Sequence, residues 1–310
     1  MFSVVTGGCG FIGSHLVDAL VRRGDQVLII DNLSTGVQDN LRSHLSSGAV
    51  ELLATDLLEN SWQKKIAGAR RLYHIAADPD VRESAHRPDS PIANNLVATA
   101  RVLEAMRTKG VPELVFTSTS TVYGDATVLP TPENYAPLEP ISVYGATKLA
   151  AEALISAYCH SFGIRAWVYR FANIIGERSN HGVIWDFLQK LRAEPHHLEI
   201  LGDGRQSKSY LEVHACVDAM LYAPDHAGRP FNAINIGSED WIDVRSIADI
   251  VVEEMGLSSV RYYFTGGERG WVGDVPRMLL SLEKMKNLGW EPPVTSRESV
   301  VRTVRALLEK

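Results

Sequence analysis

Tyr144 and Lys148, in Tyr144-Gly145-Ala146-Thr147-Lys148, stand four residues apart, a spacing that puts both side chains on one face of a helix. A phenol with a pKa near ~10 is a poor base at neutral pH, but an ammonium beside it stabilises the phenolate and lowers that value. Together the two can take and return a proton as a general acid–base pair. Tyr-x-x-x-Lys also arises by chance as a surface contact; here a run of hydroxyls, Thr117-Ser118-Thr119-Ser120-Thr121, precedes it. Thr119, 25 residues before Tyr144, can share the proton of a substrate hydroxyl; the alternative, expected for most of the five, is that such hydroxyls only satisfy backbone groups at a strand end.

A second cluster lies at the start of the chain. Thr6-Gly7-Gly8-Cys9-Gly10-Phe11-Ile12-Gly13 fits G-x-G-x-x-G through Gly8, Gly10 and Gly13, and G-x-x-G-x-x-G through Gly7, Gly10 and Gly13. Glycine there lets the backbone approach a pyrophosphate that rests on the amides of a helix N-terminus. Such turns also arise for packing alone. Asp31, about twenty residues on at the end of the next strand, decides for a dinucleotide, because its carboxylate can accept from the ribose hydroxyls. The same charge repels a 2′-phosphate and no arginine follows in Asn32-Leu33, so NAD is expected rather than NADP. Asp56-Leu57 could touch the adenine; a solvated strand-end carboxylate is the alternative.

The elements that must carry these residues are legible in the pattern. Phe2–Thr6, Gln26–Ile30, Val50–Ala54, Arg71–Ile75 and Glu113–Ser118 read as buried strands, with further strand-like runs at Arg165–Tyr169 and Ala233–Ile236. Helical patterns over Ile12–Arg23, Trp62–Ile66, Ile92–Lys109 and Val143–Phe162 fall between them, and the alternation predicts an α/β fold with a doubly wound parallel sheet. After about residue 170 Gly and Pro collect and the alternation is lost. We expect a cofactor domain over 1–170, to which 211–236 returns, and a smaller substrate lobe within 171–310. Of the 310 residues, 31 Lys and Arg against 37 Asp and Glu give a net charge of −6, which offers no footprint for nucleic acid. Three scattered cysteines, Cys9, Cys159 and Cys216, make neither a disulfide framework nor a zinc site. His196-His197 lacks a third ligand at a metal-binding spacing, so no metal is expected. Without a charged leader or a long apolar run, the expectation is a cytoplasmic protein with no membrane partner.

TGGCGFIGSHL, the strand ending at Asp31, His74-Ile75-Ala76-Ala77, Asn94, TSTSTVYG (117–124), YGATK (144–148), RFANIIG (170–176) and GDGRQSKSY (202–210) together resemble the extended short-chain dehydrogenase/reductases. Within them the sequence looks like the UDP-glucose (UDP-galactose) 4-epimerase group. The resemblance runs over nearly the whole chain and implies a Rossmann-type fold with a C-terminal nucleotide-sugar lobe. It implies NAD held by Gly7, Gly10, Phe11, Ile12, Gly13, Asp31, Asn32, Asp56, Leu57, Ala76, Asn94, Tyr144 and Lys148. It further implies that Tyr144 takes the proton of the sugar 4-hydroxyl with Thr119 as relay. Asn173, Lys208 and Arg269 would hold the UDP diphosphate, and Asp274 the uridine-side ribose.

Departures from the family pattern are informative. Lys208 stands where many members have Arg, which removes a planar bidentate fork. The lysine expected after His74-Ile75-Ala76-Ala77 is replaced by Asp78-Pro79-Asp80-Val81-Arg82. The 4,6-dehydratases of the family carry Asp-Glu after the Thr, and its UDP-glucuronate decarboxylases carry Glu at the position of Thr121. Ser120-Thr121 argues against both and leaves 4-epimerisation. Met278, bulkier than the Cys or Ser that admits N-acetyl sugars, points to unsubstituted hexoses. A UDP-glucuronate 4-epimerase and a catalytically silent NAD-binding sensor are the alternatives. The family also pairs the helices at 92–109 and 143–162 across a dimer, so a homodimer is expected, with packing inside one chain as the alternative for their outward apolar faces.

Overall fold

The structure, a computed structural model, describes residues 1–309. Seven strands form the central sheet: β1 (Phe2–Thr6), β2 (Gln26–Asp31), β3 (Val50–Ala54), β4 (Arg71–His74), β5 (Glu113–Thr119), β6 (Arg165–Phe171) and β7 (Phe231–Ile236). Their spatial order is β7-β6-β5-β4-β1-β2-β3. The pairs along β3-β2-β1-β4-β5 run parallel. All seven residues of β5 are buried, as a strand covered by helices on both faces must be. The order reverses between β1 and β4, so their carboxyl ends bound the crevice where doubly wound sheets bind ligands.

Three helices matter most to that crevice: α1 (Phe11–Arg22), α2 (Ala98–Lys109) and α3 (Val143–Phe162). α1 buries Gly13, Leu16, Val17 and Leu20, one stripe at helical spacing. α3 starts where the Ser142 side chain accepts from the Gly145 amide and stops at Gly163, whose φ of 72° lies in the left-handed region.

Two expected helices differ. Trp62–Ile66 forms turns instead. Both ends of that segment are buried at 0% exposure and the Trp62 indole donates to the Leu57 carbonyl at 3.3 Å. Five residues are too few to offset helix nucleation, so the two apolar anchors pack without one. The helix expected over Ile92–Lys109 opens with a π-helical turn, Ile92–Val97, before α2 begins. The wider turn changes which side chains face inward, and Asn95 is buried.

The chain divides into two compact units. The first comprises Met1–Val122, Ser142–Arg170 and Met220–Ile234, and the second Tyr123–Ile141, Phe171–Ala219 and the segment from Asn235 onward. The second unit packs α4 (Val183–Ala193), α5 (Val244–Glu254) and α6 (Ser296–Leu308) around Phe187, Leu188, Ile247, Val251, Val300 and Val304. Its short strands pair as Tyr210–Glu212 with Asn173–Ile175, and as Ser207–Lys208 between Ile242–Asp243 and Arg277–Met278. Among the described residues no helix is long and apolar enough to cross a membrane.

Candidate active site

The glycine loop joins β1 to α1 and has little room to spare. Gly7 has φ of 70°, and a Cβ there would sit 2.6 Å from the Ala76 amide nitrogen. A Cβ on Gly13 would sit 2.0 Å from the Gly7 carbonyl oxygen. Gly10 caps α1 without a side-chain hydrogen bond, and its first turn carries no acidic residue. The leading amides of α1 therefore take no side-chain cap, and the positive end of the helix stands behind them, the arrangement that binds phosphate.

Asp31 ends β2 and is 8% exposed. Its Oδ2 accepts from the Cys9 amide at 2.9 Å and its Oδ1 from the Leu33 amide at 2.8 Å. A carboxylate has about four acceptor positions, so the ribose hydroxyls can still be received. These residues fit a dinucleotide. Burial, and then the charge of Asp31, push the Cys9 thiol up to about 12, which keeps it an inert, space-filling group.

The remaining expected cofactor residues surround this loop. Phe11 and Ile12 open α1 half-buried. Asn32 donates to Asp56 at 3.0 Å, and Leu57 packs in the core beneath the sheet. The Ala76 amide is tied to the Thr6 carbonyl at 3.0 Å. Asn94 turns its amide to the Ser90 carbonyl at 3.0 Å. Its neighbour Asn95 is the buried one; it accepts from the Asp78 amide at 2.7 Å and donates to the Thr147 hydroxyl at 3.4 Å. The π-helical turn is what sets the two asparagines apart, Asn94 part-buried against Ser90 and Asn95 fully enclosed.

Tyr144 lies in the first turn of α3, near enough to Thr119, the last residue of β5, for that side chain to act on its phenol; the Thr119 hydroxyl itself lies 3.1 Å from that of Thr121 and accepts from the Thr121 amide at 3.1 Å. Lys148, one turn on, is 1% exposed. Its Nζ donates to the Thr117 carbonyl at 2.8 Å and lies 4.8 Å from the centre of the Phe116 ring. Burial pulls its ammonium down to about 7, opposed by the charge of Glu152. For Tyr144 the expected lowering is overturned. Burial pushes the phenol up to about 12; the Thr119 side chain pulls down, and the Asp78 carboxylate pushes further up. Removing water from a phenolate here outweighs the nearby hydroxyl.

Glu152 follows one further turn along α3 and was not singled out by the sequence. Arg170 grips it through Nη2 to Oε2 at 2.7 Å and Nε to both oxygens, and the Ser118 hydroxyl donates to it at 2.5 Å. Of the five hydroxyls at the β5 end, Ser118 thus serves a buried ion pair, Thr117 donates to the His74 carbonyl at 3.4 Å, and those of Thr119 and Thr121 bond to each other at 3.1 Å. His74 is enclosed between the Thr6 and Thr99 hydroxyls at 2.7 and 3.0 Å. Burial, with Lys148 adding to it, pulls its imidazole down to about 3, so it stays neutral.

In the second unit, Asn173 donates to the Ser209 carbonyl at 3.2 Å. Lys208 Nζ donates to Asp274 Oδ1 at 2.6 Å and lies 5.5 Å from the Trp271 ring centre. Asp274 is 3% exposed, and its Oδ2 accepts from the Gly270 amide at 3.0 Å. Arg269 donates to the Asp274 carbonyl and, through both Nη atoms, to Asp125 at 3.1 and 2.7 Å. Met278 is buried and pairs with Lys208 in the strand register. Asp125 was not anticipated, because 144 residues separate it from Arg269.

Comparison with known proteins agrees with this chemistry. A family model described as the NAD dependent epimerase/dehydratase family matches residues 3–237. A UDP-glucose 4-epimerase from Mycolicibacterium smegmatis is 30% identical over 100% of this chain and 99% of its own. UDP-glucuronic acid decarboxylase 1 from Arabidopsis thaliana is 32% identical over 97% of this chain and 68% of its own. A crystal structure of a UDP-galactose 4-epimerase superposes with a TM-score of 0.90 at 44% identity, covering 100% of this chain and 99% of that one. The protein is an enzyme of the NAD-dependent epimerase/dehydratase family, with NAD as its cofactor, among relatives that act on UDP-sugars.

Proposed function

We propose that the enzyme interconverts the C4 epimers of a UDP-hexose, UDP-glucose and UDP-galactose, through a transient 4-keto sugar. The observation that carries this reading is the end of β5. Thr119 stands near Tyr144 and acts on its phenol, while Ser120 and Thr121 follow where elimination or decarboxylation would call for a further acid. One acid–base residue with its relay suffices for epimerisation, since the proton removed from the 4-hydroxyl returns to the same oxygen.

NAD supplies the acceptor and donor of the C4 hydride. Gly7, Gly10, Phe11, Ile12 and Gly13 would hold its pyrophosphate, Asp31 and Asn32 its ribose, and Asp56, Leu57, Ala76 and Asn94 its remaining contacts. Tyr144 takes the 4-hydroxyl proton and gives it back. A charged Lys148 one turn on and the nearby Thr119 side chain favour the phenolate against the cost of its burial. The first unit is then the cofactor domain and the second the nucleotide lobe, where Lys208 and Arg269 supply charge, Asn173 an amide and Asp274 an acceptor for the uridine-side ribose. The buried Met278 narrows the sugar choice to unsubstituted hexoses.

We also infer a cytoplasmic homodimer. Ile92 and Val97 on the π-helical turn and Phe162 at the end of α3 are 45%, 41% and 52% exposed, apolar surface that a second copy would cover. A monomer by light scattering at micromolar concentration would refute the dimer. The activity is tested by incubating the protein with UDP-galactose, UDP-glucuronate or UDP-N-acetylglucosamine and following the 4-epimers. Turnover of UDP-galactose is expected. Release of carbon dioxide from UDP-glucuronate would assign a decarboxylase, conversion of UDP-glucuronate alone to its 4-epimer a uronate epimerase, and no turnover of any would remove the epimerase.

A further inference from the structure

The two cations proposed for the nucleotide already hold carboxylates, and the two pairs are built differently. Asp274 is part of the turn it serves. It is 3% exposed, its amide donates to the Trp271 carbonyl at 3.1 Å, and its carboxylate holds both Lys208 and the Gly270 amide. Asp125 comes from a remote stretch of the chain, and its side chain and that of Arg269 are 45% and 41% exposed. Among the described residues its carboxylate bonds only to Arg269, through two parallel contacts. A guanidinium accepts a carboxylate and a phosphate through the same planar fork. An exposed carboxylate with no other tie is therefore an exchangeable occupant of a phosphate position.

We propose that Asp125 is a built-in stand-in for phosphate. It fills the fork of Arg269 until a diphosphate displaces it, so that Asp125 sets how much negative charge a ligand must bring. This rests on the reading of Arg269 as a diphosphate-binding residue. A ligand with no phosphate gains nothing by displacing Asp125, whereas a diphosphate replaces one carboxylate charge with more.

Exposed ion pairs are worth little, so Asp125→Asn should tighten UDP binding by about two- to fivefold, the range that such a pair allows. The measurement is titration calorimetry of the as-purified holoenzyme with UDP, and with uridine as the phosphate-free control. The gain should be absent for uridine, and absent when Asp125→Asn is made in an Arg269→Ala background, as coupling of the two residues requires. Equal or weaker UDP binding by Asp125→Asn would overturn the proposal and make Asp125 a residue that holds Arg269 in place. If the native protein binds no UDP at all, the nucleotide reading itself fails, a different result from native binding that Asp125→Asn leaves unimproved.

Discussion

Lys148→Met should move activity and stability in opposite directions, and the stability change should reverse with pH. The native Nζ is 1% exposed and burial pulls its ammonium from the ordinary 10.5 to about 7. Between those values the unfolded chain binds the extra proton, so stability rises with pH there. The cost of the buried charge is fully present below about pH 7 and gone above the ordinary lysine value. At ~1.4 kcal/mol for each tenfold change in proton affinity, it is on the order of 5 kcal/mol. Methionine removes that cost but leaves the Thr117 carbonyl without its 2.8 Å donor, a loss of about 1–3 kcal/mol. Below pH 7 the variant should therefore be more stable by a few kcal/mol, and near pH 10 it should be equal or less stable. The activity effect has the other sign. A cation within about 6–10 Å of a phenolate contributes ~2–3 kcal/mol at an effective dielectric near 20, so its loss should cost roughly ten- to a hundredfold in turnover. Urea unfolding at pH 6 and pH 10, at matched NAD content because bound ligand itself stabilises, measures the first effect and initial rates the second. A variant less stable at pH 6, or an advantage that persists at pH 10, would refute the reasoning.

Three further outcomes are expected. Tyr144→Phe should lose about 10²–10⁴ in turnover while the protein keeps its NAD, read by the absorbance of the released nucleotide; near-native turnover would remove Tyr144 as the base. Gly13→Ala must push its Cβ from 2.0 Å off the Gly7 carbonyl, and the ~1–3 kcal/mol typical of overpacking should appear as about ten- to hundredfold weaker NAD binding by equilibrium dialysis. Arg170→Met strands the Glu152 carboxylate, 3% exposed as a residue, and should destabilise by about 3–5 kcal/mol in urea. Adding Glu152→Gln should restore much of that, and a double variant no better than the single would show that the pair is not the cause.

What the sequence disclosed followed from local pattern. The first five strand runs stand within a residue of β1 to β5 because each is a short run built on apolar residues and bounded by turn-forming ones, and the glycine loop and Asp31 follow from backbone needs that only certain residues meet. What it withheld depended on partners distant in the chain or on a change of helical pitch. Asn95 is buried because the turn at Ile92–Val97 is π-helical, which a 3.6-residue reading cannot register. The rise at Tyr144 escaped because a lysine four residues away is visible in sequence and the loss of water around the phenol is not. Glu152 is unmarked in the sequence because the partner that closes over it, Arg170, lies 18 residues on.

The same distinction explains how a protein of net charge −6 can bind anions. At the glycine loop the attraction comes from amides at the start of α1, where no acidic side chain stands in the first turn; such fixed dipoles need no counterion of their own. Lys208 and Arg269 instead carry one carboxylate each, Asp274 and Asp125, so their charges cancel before any ligand arrives. An anion at the amides adds to an unfilled potential, whereas one at Arg269 takes the place of another. Added salt screens exposed charges far more than buried ones. It weakens the Arg269–Asp125 pair along with the Arg269–phosphate contact that replaces it, and the two losses offset in the binding equilibrium. The contact through Arg269 should therefore make UDP binding less dependent on ionic strength than a bare arginine would, and Asp125→Asn should steepen that dependence while tightening the complex.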